Sequence, residues 1–213
     1  MSPAKKQISP AYYPAALTIA GSDSGGGAGI QADLRTFAAI GVFGSSAITA
    51  LTAQNPFEVT GIHAVPAGFV KEQLDAVLKY ISFGAAKTGM LFDSEIIDVV
   101  AKRMKSSGIP LVTDPVMIST SGAALLKPEA AKTLMEKLLP VAKWVTPNIP
   151  EAEVISGMKI KNFTDMKKAA ALCADKFGNA FIVKGGHIDQ ANGQMTDIIA
   201  HKGALYALSS PAA

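Results

Sequence analysis

The chain of 213 residues has a single cysteine, Cys173, which excludes a disulfide framework within it. Cys173 lies in the helix-like stretch AALCADKFG and reads as a small buried hydrophobe. Long apolar runs are missing too, since none approaches the roughly 18 residues of a membrane span. The run AALTIA is too short for the apolar core of a signal peptide. Charge is sparse: 17% of residues are charged, 20 basic against 17 acidic, and the lysines are scattered rather than clustered. That excludes a nucleic-acid footprint. Internal repeats, low-complexity tracts and linkers are absent. A cytoplasmic protein with no nucleic-acid or membrane partner is expected.

What is abundant is apolar residue, 49% of the chain, enough for one sizeable core. Residues 15–213 read as one domain, and residues 1–14, broken by Pro10 and Pro14, as a loose arm. Short β-prone runs (AALTIA, SSAITALTA, GAAKTGM, IPLVTD, KWVTPN, AFIVKGG) alternate with helical stretches. The helical stretches include PAGFVKEQLDAVLKYI, DSEIIDVVAKRMKSSG, KPEAAKTLMEKLL and TDMKKAAALCADKFG. Such alternation implies an α/β fold, a mostly parallel central sheet with helices on both faces.

Ligands of such folds gather outside the carboxyl ends of the strands. Those positions are polar here: Asp23, Gln54-Asn55, Lys87-Thr88, Asp114, Asn148 with Glu151, and Lys184-Gly185-Gly186. Any one of them alone is readily explained as a cap or turn residue. Together on one edge they make a site.

The first strand end is the most unusual, with five glycines and two serines around Asp23 in GSDSGGGAGI. Its GAGIQA matches the dinucleotide fingerprint in form, but no acidic residue stands between Asp33 and Glu58 to hold a ribose. No lysine followed by serine or threonine closes the segment, so it is not a P-loop. A loop poor in side chains remains, whose backbone N–H groups and following helix N-terminus can approach a small hydrogen-bonding ligand, with Asp23 and Asp33 as acceptors. A tight turn needing positive φ accounts for one or two of the glycines.

The stretches ALTIAGSDSGGGAGIQADLRTF, ITALTAQNP, AAKTGML, TDPVM, VTPNIPEAE and IVKGGH, in this order, resemble the hydroxymethylpyrimidine and phosphomethylpyrimidine kinases of thiamine biosynthesis. These belong to the ribokinase-like superfamily. The resemblance runs from about residue 15 to the last residue. It implies that Gly21, Asp23, Asp33 and Gln54 hold a pyrimidine, with Met90 as an apolar neighbour. A carboxamide at Gln54 both donates and accepts, which suits an aminopyrimidine edge. It implies further that Asp114 and Glu151 organise Mg2+, and that Asn148 and Lys184 lie near the triphosphate of ATP. Carboxylates suit magnesium, and a lysine offsets charge on a transferring phosphoryl group. Related pyridoxal kinases are the alternative, and a homodimer is expected.

In one respect the sequence departs from that family. Relatives continue past the strand resembling GALYALSS into a second glycine-rich motif, whose amides form an anion hole and whose last residue is the base. This chain stops at Ala213, so the expected base lies beyond it and the catalytic residue is unassigned. Cys173, on a helix, and His187, read as a loop residue, do not replace it. A pyrimidine-binding form with impaired catalysis is therefore a second alternative.

Overall fold

The structure, a computed structural model, describes residues 14–117, 125–186 and 194–211. The strands are β1 (Ala15–Asp23), β2 (Phe43–Gln54), β3 (Val59–Ala64), β4 (Ala85–Thr88), β5 (Leu111–Thr113), β6 (Trp144–Val145), β7 (Ala180–Val183), β8 (Gln194–His201) and β9 (Ala204–Pro211). The helices are α1 (Gly29–Ala39), α2 (Ala67–Leu78), α3 (Ser94–Ser107), α4 (Pro128–Thr133), α5 (Ile149–Ser156) and α6 (Phe163–Phe177). All strands join one sheet in the order β3-β2-β1-β4-β5-β6-β7-β8-β9. The stretch from β2 to β7 is parallel, β3 and β8 pair antiparallel with its two outer strands, and β9 pairs antiparallel with β8.

The parallel strands are the six β-prone runs of the sequence, and they carry its strongest apolar signal because they build the core. Residues 1–13, the greater part of the expected arm, lie outside the described residues.

Burial alternates along these strands and shows the two faces to be unequal. Leu17, Ile19, Ala86, Leu111, Val145, Phe181, Val183 and Ile198 enter one continuous core with α2, α3, α5 and α6. The opposite face receives α1: Thr18 and Lys87 both reach Asp33 on that helix, and a side chain on Gly44 would strike Leu34 and Phe37. Helices thus lie on both faces, but among the described residues α1 alone covers the second.

Polar signals end the helices as their sequences imply. Asp93 and Asn162 cap α3 and α6, each accepting from a backbone N–H three residues on, and Gly108 and Gly178 close them in the left-handed conformation. One expected helix is corrected. KPEAAKTLMEKLL forms α4 only to Thr133, then widens into a π-helical turn over 134–138 and a 3-10 turn over 139–141. Pro140 offers no N–H and crowds the carbonyl four residues back, which ends the regular helix, and Leu134, Leu138 and Leu139 are all buried. No helix among the described residues is long and apolar enough to cross a membrane.

Candidate active site

Because β1, β2, β4, β5, β6 and β7 run parallel, their carboxyl ends share one edge of the sheet. A cavity of about 780 Å³ lies elsewhere, between α3 and the turns over 134–141, and no residue expected in the site lines it. At the strand ends lies a smaller cavity of about 230 Å³. Gly21, Asp23, Asp33, Gln54 and Met90 all line it, together with Lys87, Asp114, Val116 and Leu125.

Asp23, buried at the end of β1, builds its own loop. Its Oδ1 accepts from Gly25 N at 2.8 Å, its Oδ2 from Ala28 N at 2.8 Å, and its carbonyl from Gly26 N at 3.0 Å. These N–H groups and the Asp23 carboxylate satisfy one another, because buried polar groups need partners, while Asp23 also lines the cavity. The glycines follow from the same compact turn. Gly26 and Gly29 have φ of 77° and 59°, a Cβ on Gly29 would lie 2.4 Å from Gly21 O, and one on Gly25 would lie 3.1 Å from Gln54 O. Only Gly27 has neither constraint.

Two bridges fix this loop to its surroundings. Ser24 Oγ donates to Gln54 O at 2.9 Å and accepts from Gln54 N at 2.8 Å. Gln31, on α1, accepts from Asp23 N at 3.0 Å and donates to Ser22 Oγ at 2.7 Å. The Gln54 side chain accepts from Thr52 Oγ1 at 3.1 Å, while its amide donors have no partner among the described residues. Gly21 is small because Met90 packs on it: a Cβ there would sit 3.0 Å from the Met90 sulfur.

Asp33, on the first turns of α1, accepts from Lys87 Nζ at 2.9 and 3.0 Å and from Thr18 Oγ1 at 2.6 Å. Lys87 was visible in sequence only as one polar strand end among several. Its side chain alternates away from the main core, toward α1 and the cavity, and that alternation was the available signal.

Further along the edge, Asp114 follows β5, its N–H donating to Thr88 O at 3.0 Å. Its Oδ1 meets Lys184 Nζ at 3.0 Å. Lys184 is held from behind, its backbone N–H donating to Pro147 O at 2.8 Å. Next to it Gly185 N donates to Asp197 Oδ1 at 2.9 Å, and a Cβ on Gly185 would fall 1.9 Å from Thr196 O. Asp197, which no local sequence signal marks, stands on β8 twelve residues from the glycine that it anchors. His187 lies outside the described residues.

Asn148 and Glu151 form a capping box at the start of α5. Asn148 Oδ1 accepts from Glu151 N, and Glu151 Oε2 accepts from Asn148 N, both at 2.9 Å. Both therefore have a structural task besides any role toward a nucleotide. Burial holds the Glu151 carboxyl above its ordinary range, and the neighbouring Asp114 charge adds to this, against the Asn148 N–H and Lys184. Among the described residues no group of three or more His, Cys, Asp or Glu side chains could hold a metal. Two coupled carboxylates still fit magnesium, which takes one or two protein carboxylates and completes its shell with phosphate oxygens and water. Cys173 is fully buried on α6, its thiol pushed up to about 11 by burial, which fits its reading as a hydrophobe.

Residues 23–213 match the family model described as phosphomethylpyrimidine kinase. The hydroxymethylpyrimidine/phosphomethylpyrimidine kinase of Bacillus subtilis strain 168 is 47% identical over 185 residues, 86% of this chain and 68% of that protein. A phosphomethylpyrimidine kinase structure from Clostridium difficile 630 superposes with a TM-score of 0.85 at 45% identity, covering 93% of this chain and 85% of that one. An ADP complex of Bacillus subtilis pyridoxal kinase reaches 0.86 at 35% identity, covering 94% and 76%. The chain spans between 65% and 68% of the length of several curated single-function relatives. With this sheet, this edge and these matches, the chain belongs to the phosphomethylpyrimidine kinase family.

Proposed function

We propose that this chain phosphorylates 4-amino-5-hydroxymethyl-2-methylpyrimidine, and then its monophosphate, at the expense of ATP in the cytoplasm. The observation that carries this reading is the 230 Å³ cavity, where Gly21, Asp23, Asp33, Gln54 and Met90 meet and which Asp114 also borders. The cavity matches a small ring in scale, and Gln54 brings unused amide donors to it. Met90, Val116 and Leu125 offer apolar surface for the ring.

Phosphoryl transfer asks mainly for positioning and charge stabilisation. Lys184 supplies a cation paired with Asp114, which lines the cavity. Asp114 and Glu151 are the residues that would hold Mg2+, which when bound neutralises charge on the phosphates. Asn148 keeps one amide donor pair for the nucleotide while its oxygen caps α5.

A second reading, phosphorylation of pyridoxal, is favoured by the equally close superposition on the pyridoxal kinase. Higher identity to the pyrimidine kinases, 45% against 35%, supports the first. Coupled ADP release with each compound decides between them: faster turnover of the hydroxymethylpyrimidine is expected, and exclusive use of pyridoxal would refute it. A homodimer is part of the proposal, supported by exposed Phe43, Leu51 and Phe57 at one side of the sheet.

A further inference from the structure

Four charged side chains line the cavity: Asp23, Asp33, Asp114 and Lys87. Each carboxylate has its own partner. Asp23 is met by the N–H groups of Gly25 and Ala28, and Asp114 by Lys184. Asp33 alone depends on a cation inside the cavity wall, Lys87, whose ammonium touches both its oxygens. The pair is sheltered, with 30% of the Lys87 side chain and 13% of the Asp33 side chain exposed. A carboxylate in that position attracts any positive ligand unless it is neutralised.

Resting on the pyrimidine reading above, we infer that Lys87 determines the charge specificity of the site. By cancelling Asp33 it makes the cavity accept an uncharged ring and reject a cationic one of the same shape. An ammonium has three protons, and Asp33 takes two directions of contact, so Lys87 also keeps a donor for the ligand. A cationic ring docked against this pair would meet that ammonium at close range, with the Asp33 carboxylate already compensated. Specificity of this kind comes from a repulsive element as much as from attraction.

The test uses two ligands of equal shape, with calorimetry and no nucleotide. One is 4-amino-5-hydroxymethyl-2-methylpyrimidine, and the other is the 5-aminomethyl compound, in which an ammonium replaces the hydroxyl. The unsubstituted chain is expected to prefer the neutral ligand. Lys87→Met is expected to shift the ratio of the two affinities toward the cation by about tenfold or more, the influence of one uncompensated charge at close range. Lys87→Arg, which keeps the charge, restores the preference for the neutral ligand.

Should Lys87→Met not fold, Asp33→Asn gives the opposite sign: with Lys87 uncancelled, the ratio moves further toward the neutral ligand. A purely structural role for Lys87 would weaken both ligands alike, and an unchanged ratio in Lys87→Met or Asp33→Asn overturns the inference. Failure of the unsubstituted chain to bind the hydroxymethyl compound would instead overturn the pyrimidine reading itself.

Discussion

At the ends of β1 and β2 most polar groups are hydrogen-bonded within the wall they form, whereas at the ends of β5, β6 and β7 the charged groups meet as a few sparse pairs. Asp23, Ser24 and Gln31 close the first wall with main-chain partners. Asp114 and Lys184 form a partly exposed ion pair, with 24% and 42% of their side chains accessible. Beside them Glu151 is buried and raised by that burial. The difference separates two tasks. A wall set by backbone hydrogen bonds fixes a shape, which suits recognition of a rigid ring. A sparse charge cluster fixes a potential, which suits phosphates and a divalent cation.

The sharpest way to break this comparison is through glycines, since one wall needs them for shape and the other for a close approach. Gly185→Ala drives a Cβ into Thr196 O, with 1.9 Å available. It is expected to cost about 3 kcal/mol or more, in the class of severe backbone conflicts. Gly27→Ala, unconstrained in the first loop, is expected to cost at most about 1 kcal/mol. Denaturant titration of both variants checks the contrast, and similar losses would mean that the glycine-rich loop is tighter than its contacts imply.

Next in size is Lys184→Ala. Removing a charge-stabilising donor from phosphoryl transfer is expected to lower kcat on the order of 10²–10³, with the pyrimidine affinity unchanged. Steady-state kinetics beside calorimetry would show it. An equal loss of pyrimidine affinity would join the two regions into one.

Gln54→Ala addresses the other wall and is expected to weaken pyrimidine binding by about 1–3 kcal/mol, the cost of leaving buried partners unpaired. Nucleotide affinity should not move. Calorimetry finding equal losses for both ligands would count against the assignment of Gln54.

The smallest expected effect concerns pH. Burial raises the Glu151 carboxyl in the folded chain, so the folded state binds its proton more readily than the unfolded state does. This contribution favours folding below the carboxyl's unfolded value and is lost as pH rises through the raised one. Asp114→Asn removes a repelling charge and should lower that value. A carboxyl titration of Glu151 by NMR that stays in place, or rises, would contradict the coupling.

Much of this was legible in the sequence for a physical reason. The six parallel strands are rich in apolar residues, so their runs stand out, and parallel order alone places their ends on one edge. The antiparallel strands were less visible: β3 is half-exposed and contains Gly61, and β9 is exposed along nearly its whole length. The hairpin joining β8 to β9 turns on Lys202 and Gly203, both with positive φ, but a Lys-Gly pair is a weak turn signal. In the site, residue types identified Asp23, Asp33 and Gln54, but not how they are used. That Asp23 folds its own loop, that Lys87 cancels Asp33 and that Asp197 anchors Gly185 all depend on contacts between distant segments. Asn148 and Glu151 show the converse, because their spacing was a capping signal as well as a family motif.

The claim that shape and potential reside in separate regions is tested most directly by calorimetry of Gln54→Ala and Lys184→Ala, each titrated with hydroxymethylpyrimidine and with a non-hydrolysable ATP analogue plus Mg2+. Gln54→Ala should lose affinity for the pyrimidine alone, and Lys184→Ala for the nucleotide alone. If either variant loses both ligands to the same degree, the two-region account is wrong.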